Sequence, residues 1–454
     1  MSVDTEPLKF REKLGYGLGD AASNLFFQVF LLFLLYYYTD VYGLAPAAVG
    51  TMFLVTKVID AISDPVMGLI ADRTSSRWGK FRPYLLWAAI PYGLFGYAMF
   101  YSPDLSATGK LIYAYATYSL MMLAYTAINV PYSALMGVIS PSSVERTKVS
   151  AYRFVCAFSA GWLIATFVTP LKNMLGGGSE EVGFRRTMMI FAVMSVVLFW
   201  VSFATTKERV HPKQMKSDVR SDLRALLANG PWIALFFAAI FNFTNFALRA
   251  GATVYYFKYY VGDDGAPIFF IFDKTAVFLS LKMFALIGGV LMTQPLCRRF
   301  DKRNLMIALT LGNGVSMALF YFIPPDQYWP MVVVGVVGGL FLGPTTALMW
   351  SMYADSADYG EWKTGRRSTG LVFSATMFAM KMGLAVGGGL AGYILSLFGF
   401  IANEAQSASS IVGIKLLFSM FPAAMAVLSA FAIFFYQIND DKMMGIEREL
   451  AQRR

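Results

Sequence analysis

Twelve stretches of this chain are apolar and long enough to cross a bilayer, at about 19–39, 48–71, 83–101, 111–139, 150–171, 187–204, 232–261, 276–296, 305–323, 329–352, 369–398 and 411–437. A hydrocarbon core about 30 Å thick takes about 20 helical residues to span. In lipid every backbone amide must find its partner inside the segment, so such runs read as α-helices. The expected class is an all-α integral membrane protein. A polar interval at 206–229 leaves six runs on each side. The expected division is a first six-helix bundle at 1–205, a central loop at 206–230, a second bundle at 231–437 and a tail at 438–454.

The charges between the runs set an orientation. Arg73, Arg77, Lys80 and Arg82 follow the second run, Arg146 and Lys148 the fourth, and Lys207, Arg209, Lys213, Lys216, Arg220 and Arg224 lie in the central interval. Arg298, Arg299, Lys302 and Arg303 follow the eighth, and Lys363, Arg366 and Arg367 the tenth. The alternate loops at 41–47, 176–184 and 324–328 carry no Lys or Arg, and another holds Asp263 and Asp264. Basic loops stay in the cytoplasm, so the even loops and both termini are expected there. Topology thus accounts for the net charge of +10 without nucleic acid. Residues 1–13 show no cleavage site and read as a cytoplasmic tail.

Enzyme chemistry finds little to work with. The only histidine, His211, lies in the polar interval, and Cys156 and Cys297 show no disulfide or metal spacing. No glycine-rich nucleotide loop is present, so no cofactor is expected and ATP hydrolysis does not drive this chain. Six runs on each side of a loop, with basic loops in matching places after the second and eighth, are the layout of a two-bundle transporter. Such folds hold substrate near the bilayer midplane between the halves.

Within the second run, Lys57, Asp60 and Asp64 are spaced i, i+3 and i+7, which places them within roughly 60° of one helical face. A carboxylate at bilayer depth costs about 2.5–3.5 kcal/mol, so a pair calls for a compensating use. A bound cation or a shared proton supplies one, because like charges one turn apart resist ionising together. Lys57 can neutralise one of them when the site is empty. The alternative is an ion-pair cluster that only holds helices together.

Gly68-Leu69-Ile70-Ala71-Asp72-Arg73, followed by Arg77-Trp78-Gly79-Lys80, resembles the signature loop of the major facilitator superfamily. The longer run from Asp64-Pro65 through Arg77-Trp78-Gly79-Lys80-Phe81-Arg82-Pro83 resembles the glycoside-pentoside-hexuronide:cation symporters, the melibiose permease among them. Tyr37-Tyr38-Thr39-Asp40, Asn129-Val130-Pro131-Tyr132 and Asp358-Tyr359-Gly360-Glu361-Trp362-Lys363-Thr364-Gly365 extend the resemblance over nearly the whole chain. It implies a major facilitator fold of twelve transmembrane helices in two six-helix bundles. It also implies import of a glycoside, pentoside or hexuronide with Na⁺ or H⁺ across a bacterial inner membrane. The protein is expected to work as a monomer whose partners are the sugar and membrane lipid. Rival expectations are an amphipathic lipid transporter of the same superfamily and a non-transporting sugar sensor.

The resemblance also assigns residues. Asp60 and Asp64 match the paired aspartates of the family's cation site, Ser63 stands beside them, and Thr126 matches a threonine of that site on the fourth span. These are hard oxygen ligands suited to Na⁺, and a carboxylate pair equally suits a proton. Asn24 and Asn129 stand where galactoside transporters carry sugar-binding aspartates, and Ser133 where they carry a stacking tryptophan, which argues against a melibiose-like specificity. Asp20 is expected to contact substrate or to pair with a nearby base. Arg153 matches a sugar-site arginine, with a gate ion pair as the alternative. Lys381 matches a lysine near both sites, or partners Asp60 or Asp64. Lys57, Asp72, Arg73, Asp355, Asp358 and Arg366 form the expected gating and charge network. Arg249 on the seventh span and the aromatic residues Tyr125, Tyr132, Trp350 and Phe373 are further candidates. Gly383 and its neighbouring glycines are expected to allow close helix packing, and Pro131 and Pro344 to interrupt their helices.

Overall fold

A computed structural model describes residues 7–209, 226–365 and 369–453 of the chain. Arg366, His211 and most of the central loop fall outside those residues, as does the side chain of Asp72. Each of the twelve apolar runs is helical. The first bundle contains α1 (Phe10–Leu32), α2 (Pro46–Arg73), α3 (Arg82–Trp87, continued by Ala89–Ala98), α4 (Ala107–Val138), α5 (Ser143–Gly176) and α6 (Glu180–Thr205). The second contains α7 (Gly230–Tyr255), α8 (Lys274–Cys297), α9 (Lys302–Leu319), α10 (Tyr328–Thr364), α11 (Thr369–Leu397) and α12 (Ala408–Phe418, continued by Met420–Phe434). By length and composition α4 to α8 and α10 to α12 can cross a membrane, and α1 joins them if its bent continuation is counted.

Side-chain caps start several helices where the sequence leaves the apolar run. Ser106, Ser142, Ser179, Asn229, Asp301 and Ser407 each accept a hydrogen bond from a backbone N–H in the first turn that follows. Helix α1 bends by 57° into Leu34–Val41, which ends in a π-helical turn at Tyr37–Val41. Helix α7 ends in a similar turn at Tyr256–Val261, so the first helix of each half closes in the same way. Pro131 and Pro344 correct an expectation, since α4 and α10 run through them without interruption. A proline deletes one helical hydrogen bond, and neighbouring groups in a bundle can satisfy the freed carbonyl.

The described residues fall into two compact units. The first takes 7–209 together with 265–277, and the second takes 226–264 together with the described part of 278–453. The α7–α8 connection therefore belongs to the first unit by contact although it follows α7 in sequence. Within that unit Asn173 of α5 donates to the Gly265 carbonyl at 3.2 Å, and Phe167 meets Phe272 edge to face at 5.7 Å.

In the second unit the glycines of α11 do what their size suggests. A Cβ at Gly383 would lie 2.6 Å from the Ile240 carbonyl oxygen, so α11 meets α7 backbone to backbone only because no side chain intervenes. The expected tail contains a helix, α13 (Asp440–Arg453). Its Met443, Ile446 and Leu450 are buried with Met352, Tyr359 and Tyr436. Trp362 of α10 donates its indole N–H to Glu449 at 2.7 Å.

Candidate functional site

The expected cation residues converge between α2 and α4. The Thr126 hydroxyl lies 3.1 Å from Asp60 Oδ1 and 3.0 Å from Asp64 Oδ1. It carries one proton, so it donates to one carboxylate at a time. Ser63 donates to the Asp60 carbonyl at 3.2 Å and lies 3.4 Å from the Thr126 hydroxyl. Lys57, one turn earlier on α2, pairs with Asp60 Oδ2 at 3.2 Å. Asp60 is 3% exposed, whereas Asp64 and Ser63 are half-buried, so the cluster is open on the Asp64 side. The i, i+3, i+7 spacing on α2 is what aligns these groups. The donor set of two carboxylates and two hydroxyls fits a hard monovalent cation or a proton.

One turn along α4 the chemistry changes. Asn129 Oδ1 accepts from the Ser23 hydroxyl at 2.7 Å, and its Nδ2 donates to the Tyr125 carbonyl at 3.0 Å. Asn24 Nδ2 donates to the Asp20 carbonyl at 2.9 Å. Asp20 pairs with Arg153 of α5 through two contacts, Nε to Oδ2 at 3.0 Å and Nη2 to Oδ1 at 3.4 Å. Of the two expectations for Asp20 and for Arg153, the ion pair is present. The Arg153 guanidinium also lies 5.6 Å from the Tyr132 ring centre. Tyr125, next to Thr126 on α4, is within electrostatic reach of Asp20, Asp60, Asp64 and Arg153. Ser133 is exposed on α4.

The other named residues are described within their own elements. Lys381 is half-buried on α11 in the second unit. Asp355 on α10 pairs with Lys302 of α9 at 2.9 Å. Asp358 lies one turn further along α10, and Arg73 is exposed at the end of α2. Trp350 and Phe373 stack on each other at 6.0 Å between α10 and α11. Arg249 is buried on α7 between the rings of Phe320 and Phe418.

Three participants escape sequence reasoning. Ser23 sits beside Asn24 and faces Asn129, and only its place one turn after Asp20 hints at this. Glu208 accepts the backbone N–H groups of Lys80, Phe81 and Arg82 at 2.9, 2.8 and 3.0 Å, so its charge caps α3 at the end of the basic loop. Gly79 makes the approach possible, since a Cβ there would lie 2.5 Å from the Glu208 carboxylate. Glu145, before the apolar part of α5, binds Lys13 at 2.9 Å, Lys148 at 2.8 Å and the Leu8 N–H at 3.0 Å. Hydrogen bonds from Lys13 and Lys148 draw its carboxyl down to about 2.

Comparison with known proteins bears on the family and the fold. A family described as MFS/sugar transport protein matches residues 15–440. The chain is 38% identical to the inner membrane symporter YicJ of Escherichia coli (strain K12), over 99% of this chain and 96% of that one. It is 37% identical to the putative glycoside/cation symporter YagG of the same organism, over 98% and 96%. It is 36% identical to the isoprimeverose transporter of Lactiplantibacillus pentosus, over 97% and 92%. The solved structure of the nucleoside transporter NupG has the same fold, with a TM-score of 0.65 over 95% of this chain and 100% of that one at 12% identity. The chain belongs to the MFS/sugar transport family, a family of transporters and not of enzymes, and within it to the glycoside-pentoside-hexuronide:cation symporters that its motifs resemble.

Proposed function

We propose that the chain couples entry of a cation to import of a glycoside, pentoside or hexuronide, with Asp60, Asp64, Ser63 and Thr126 as the cation site. The observation that carries this reading is the single Thr126 hydroxyl set between two carboxylates, 3.1 and 3.0 Å away. Lys57 pairs with Asp60 at 3.2 Å, so one basic group already belongs to the cluster. The coupling ion is Na⁺ or H⁺, since the same oxygens serve either. Lys57 neutralises Asp60 in the empty site, and the arriving ion takes over that role.

The sugar meets Asn24, Asn129, Ser133 and the Asp20–Arg153 pair, with Lys381 as the further substrate residue that the resemblance implies. Thr126 and Asn129 share one turn of α4, so ordering of the carboxylate end by an ion orders the amide end as well. Reciprocity then requires sugar to tighten ion binding by the same factor. Alternating access rocks the six-helix halves, 1–205 and 231–437, about the site. The basic even loops support a bacterial inner-membrane protein with both termini in the cytoplasm. It works as a monomer surrounded by lipid.

The test is uptake by proteoliposomes of a panel of glycosides, pentosides and uronides, under an imposed Na⁺ gradient and separately under an imposed pH gradient. Accumulation of one sugar class under one gradient is expected, and its loss in Asp60→Ala and Asp64→Ala. Undiminished accumulation in both variants overturns the site. No sugar accumulation in folded protein turns the reading to an amphipathic lipid.

A further inference from the structure

The connection between α7 and α8 divides by polarity. Its first part, Gly262-Asp263-Asp264-Gly265, is acidic, and its second, Pro267-Ile268-Phe269-Phe270-Ile271-Phe272, is apolar without a break. Four of those apolar side chains are turned outward: Ile268 is 42% exposed, Phe269 61%, Phe270 83% and Ile271 44%. Single exposed apolar residues need no explanation, but a contiguous group does. The transport reading above makes no use of it.

The group is held in place from behind. Ile268 donates its N–H to the Phe272 carbonyl at 2.8 Å, and Phe272 donates to the Phe269 carbonyl at 2.9 Å, which closes a tight hairpin. Phe270 stands at its tip with a φ of 53°, a left-handed conformation that a bulky residue seldom adopts. Asp273 accepts from the Ala276 N–H at 2.7 Å and fixes the end of the hairpin to the start of α8. On α5, Asn173 holds Gly265 and Phe167 meets Phe272. At about 1.5 Å of rise per helical residue, the connection passes about 9 Å inward along α5 between those two contacts. Its acidic part therefore lies near the end of α5, and its apolar part lies beside the span 148–176.

Both α7 and α8 are long and apolar enough to cross a membrane, so the hairpin that joins them lies at the bilayer edge. Backbone groups that enter hydrocarbon must be satisfied internally. The hairpin does this for Ile268, Phe269 and Phe272, whose N–H groups all find carbonyls within it. Water is a poor solvent for the four outward side chains, whereas acyl chains suit them. The aspartates stay on the water side, where their charge is solvated.

We propose that Ile268, Phe269, Phe270 and Ile271 form a wedge that inserts into the bilayer leaflet beside the α7–α8 connection. The partner is the phospholipid surface, met through its acyl chains, since 262–273 carries no Lys or Arg to bind a phosphate. The wedge fastens the connection to the membrane, and it stands apart from the identity of the ion and the sugar.

The test places a nitroxide on the full chain in a Cys156→Ala, Cys297→Ala background, at Phe270→Cys or Ile271→Cys, in phosphatidylcholine vesicles. Power saturation in electron paramagnetic resonance reads collisions with oxygen, which concentrates in the bilayer, and with a neutral nickel chelate, which stays in water. Val193→Cys, exposed in the middle of α6, is the lipid reference, and Asp104→Cys, exposed between α3 and α4, is the water reference. The oxygen-to-nickel ratio at 270 is expected to match that of Val193→Cys and to exceed that of Asp104→Cys several-fold. A ratio equal to that of Asp104→Cys overturns the wedge, because the hairpin then faces water. Few collisions with either reagent also overturn it, because protein, from this chain or a second copy, then covers the tip. Thermal melting reports folding, and if Phe270→Cys does not fold, Ile271→Cys decides by the same criteria.

Discussion

Tyr16 and Tyr132 each give their hydroxyl to the other's backbone carbonyl, at 3.0 and 2.6 Å, with their rings stacked 4.5 Å apart. The two residues tie α1, which carries Asp20 and Asn24, to α4, which carries Thr126 and Asn129. Both rings are fully buried, so neither carbonyl can turn to water when its partner is lost. Tyr16→Phe and Tyr132→Phe are each expected to cost about 1–2 kcal/mol. Thermal melts of the two variants and of the double variant should show a non-additive cycle, because both changes act on one contact.

Thr126→Val removes the hydroxyl between the carboxylates and keeps its shape. Coupling-ion affinity is expected to fall by about tenfold or more, the worth of one hydrogen bond to a charged group. Ion-dependent uptake at varied Na⁺ or pH measures it, and an unchanged half-saturating ion concentration would remove Thr126 from the site.

Glu208→Ala leaves the backbone N–H groups of Lys80, Phe81 and Arg82, at the entry to α3, without their acceptor. The expected loss is about 1–2 kcal/mol in the melting of the folded protein. Glu208→Gln should lose less than Glu208→Ala, because an amide oxygen still accepts.

The Glu145 carboxyl titrates near about 2 in the folded protein, below its unperturbed value of 4.5. A carboxyl lowered by folding contributes stability that is present above its unfolded value. That contribution is lost as pH falls from the unfolded value toward the folded one. The melting difference between wild type and Glu145→Gln is therefore expected to be full at pH 6 and to shrink from about pH 4.5 downward. A difference that grows on acidification contradicts the assignment.

Gly383→Leu forces a side chain into the seam between α11 and the Ile240 carbonyl of α7. Overpacking there is expected to cost about 1–3 kcal/mol, seen as lower melting and lower yield of folded protein. Gly445→Ala on α13, where a Cβ meets nothing within 4 Å, serves as the control.

Short-range patterns in the sequence carry most of the fold and half of the site. The helical spacing of Lys57, Asp60 and Asp64 is a property of α2 alone, and the motif around Thr126 supplies the partner on α4. The capping residues Ser106, Ser142 and Asp301 mark helix starts because their effect is confined to one turn. What escapes is long-range or masked by polarity. The choice of Arg153 as partner for Asp20 spans 133 residues. The placing of Glu208 on α3 spans 126 residues at Arg82. Met443, Ile446 and Leu450 follow a helical period, but the charges around them make α13 look like a solvated tail. Pro131 and Pro344 mislead because a bundle repairs what an isolated helix cannot.

The place of residues 265–277 has a consequence for how the chain is made. Domains generally fold as units, from the N-terminus onward, while the ribosome is still at work. Here the first unit lacks a piece until α7 has been synthesised and the chain has emerged as far as Val277. The half that begins first is therefore finished late, and a fragment ending at the central loop is born without a part of its own structure.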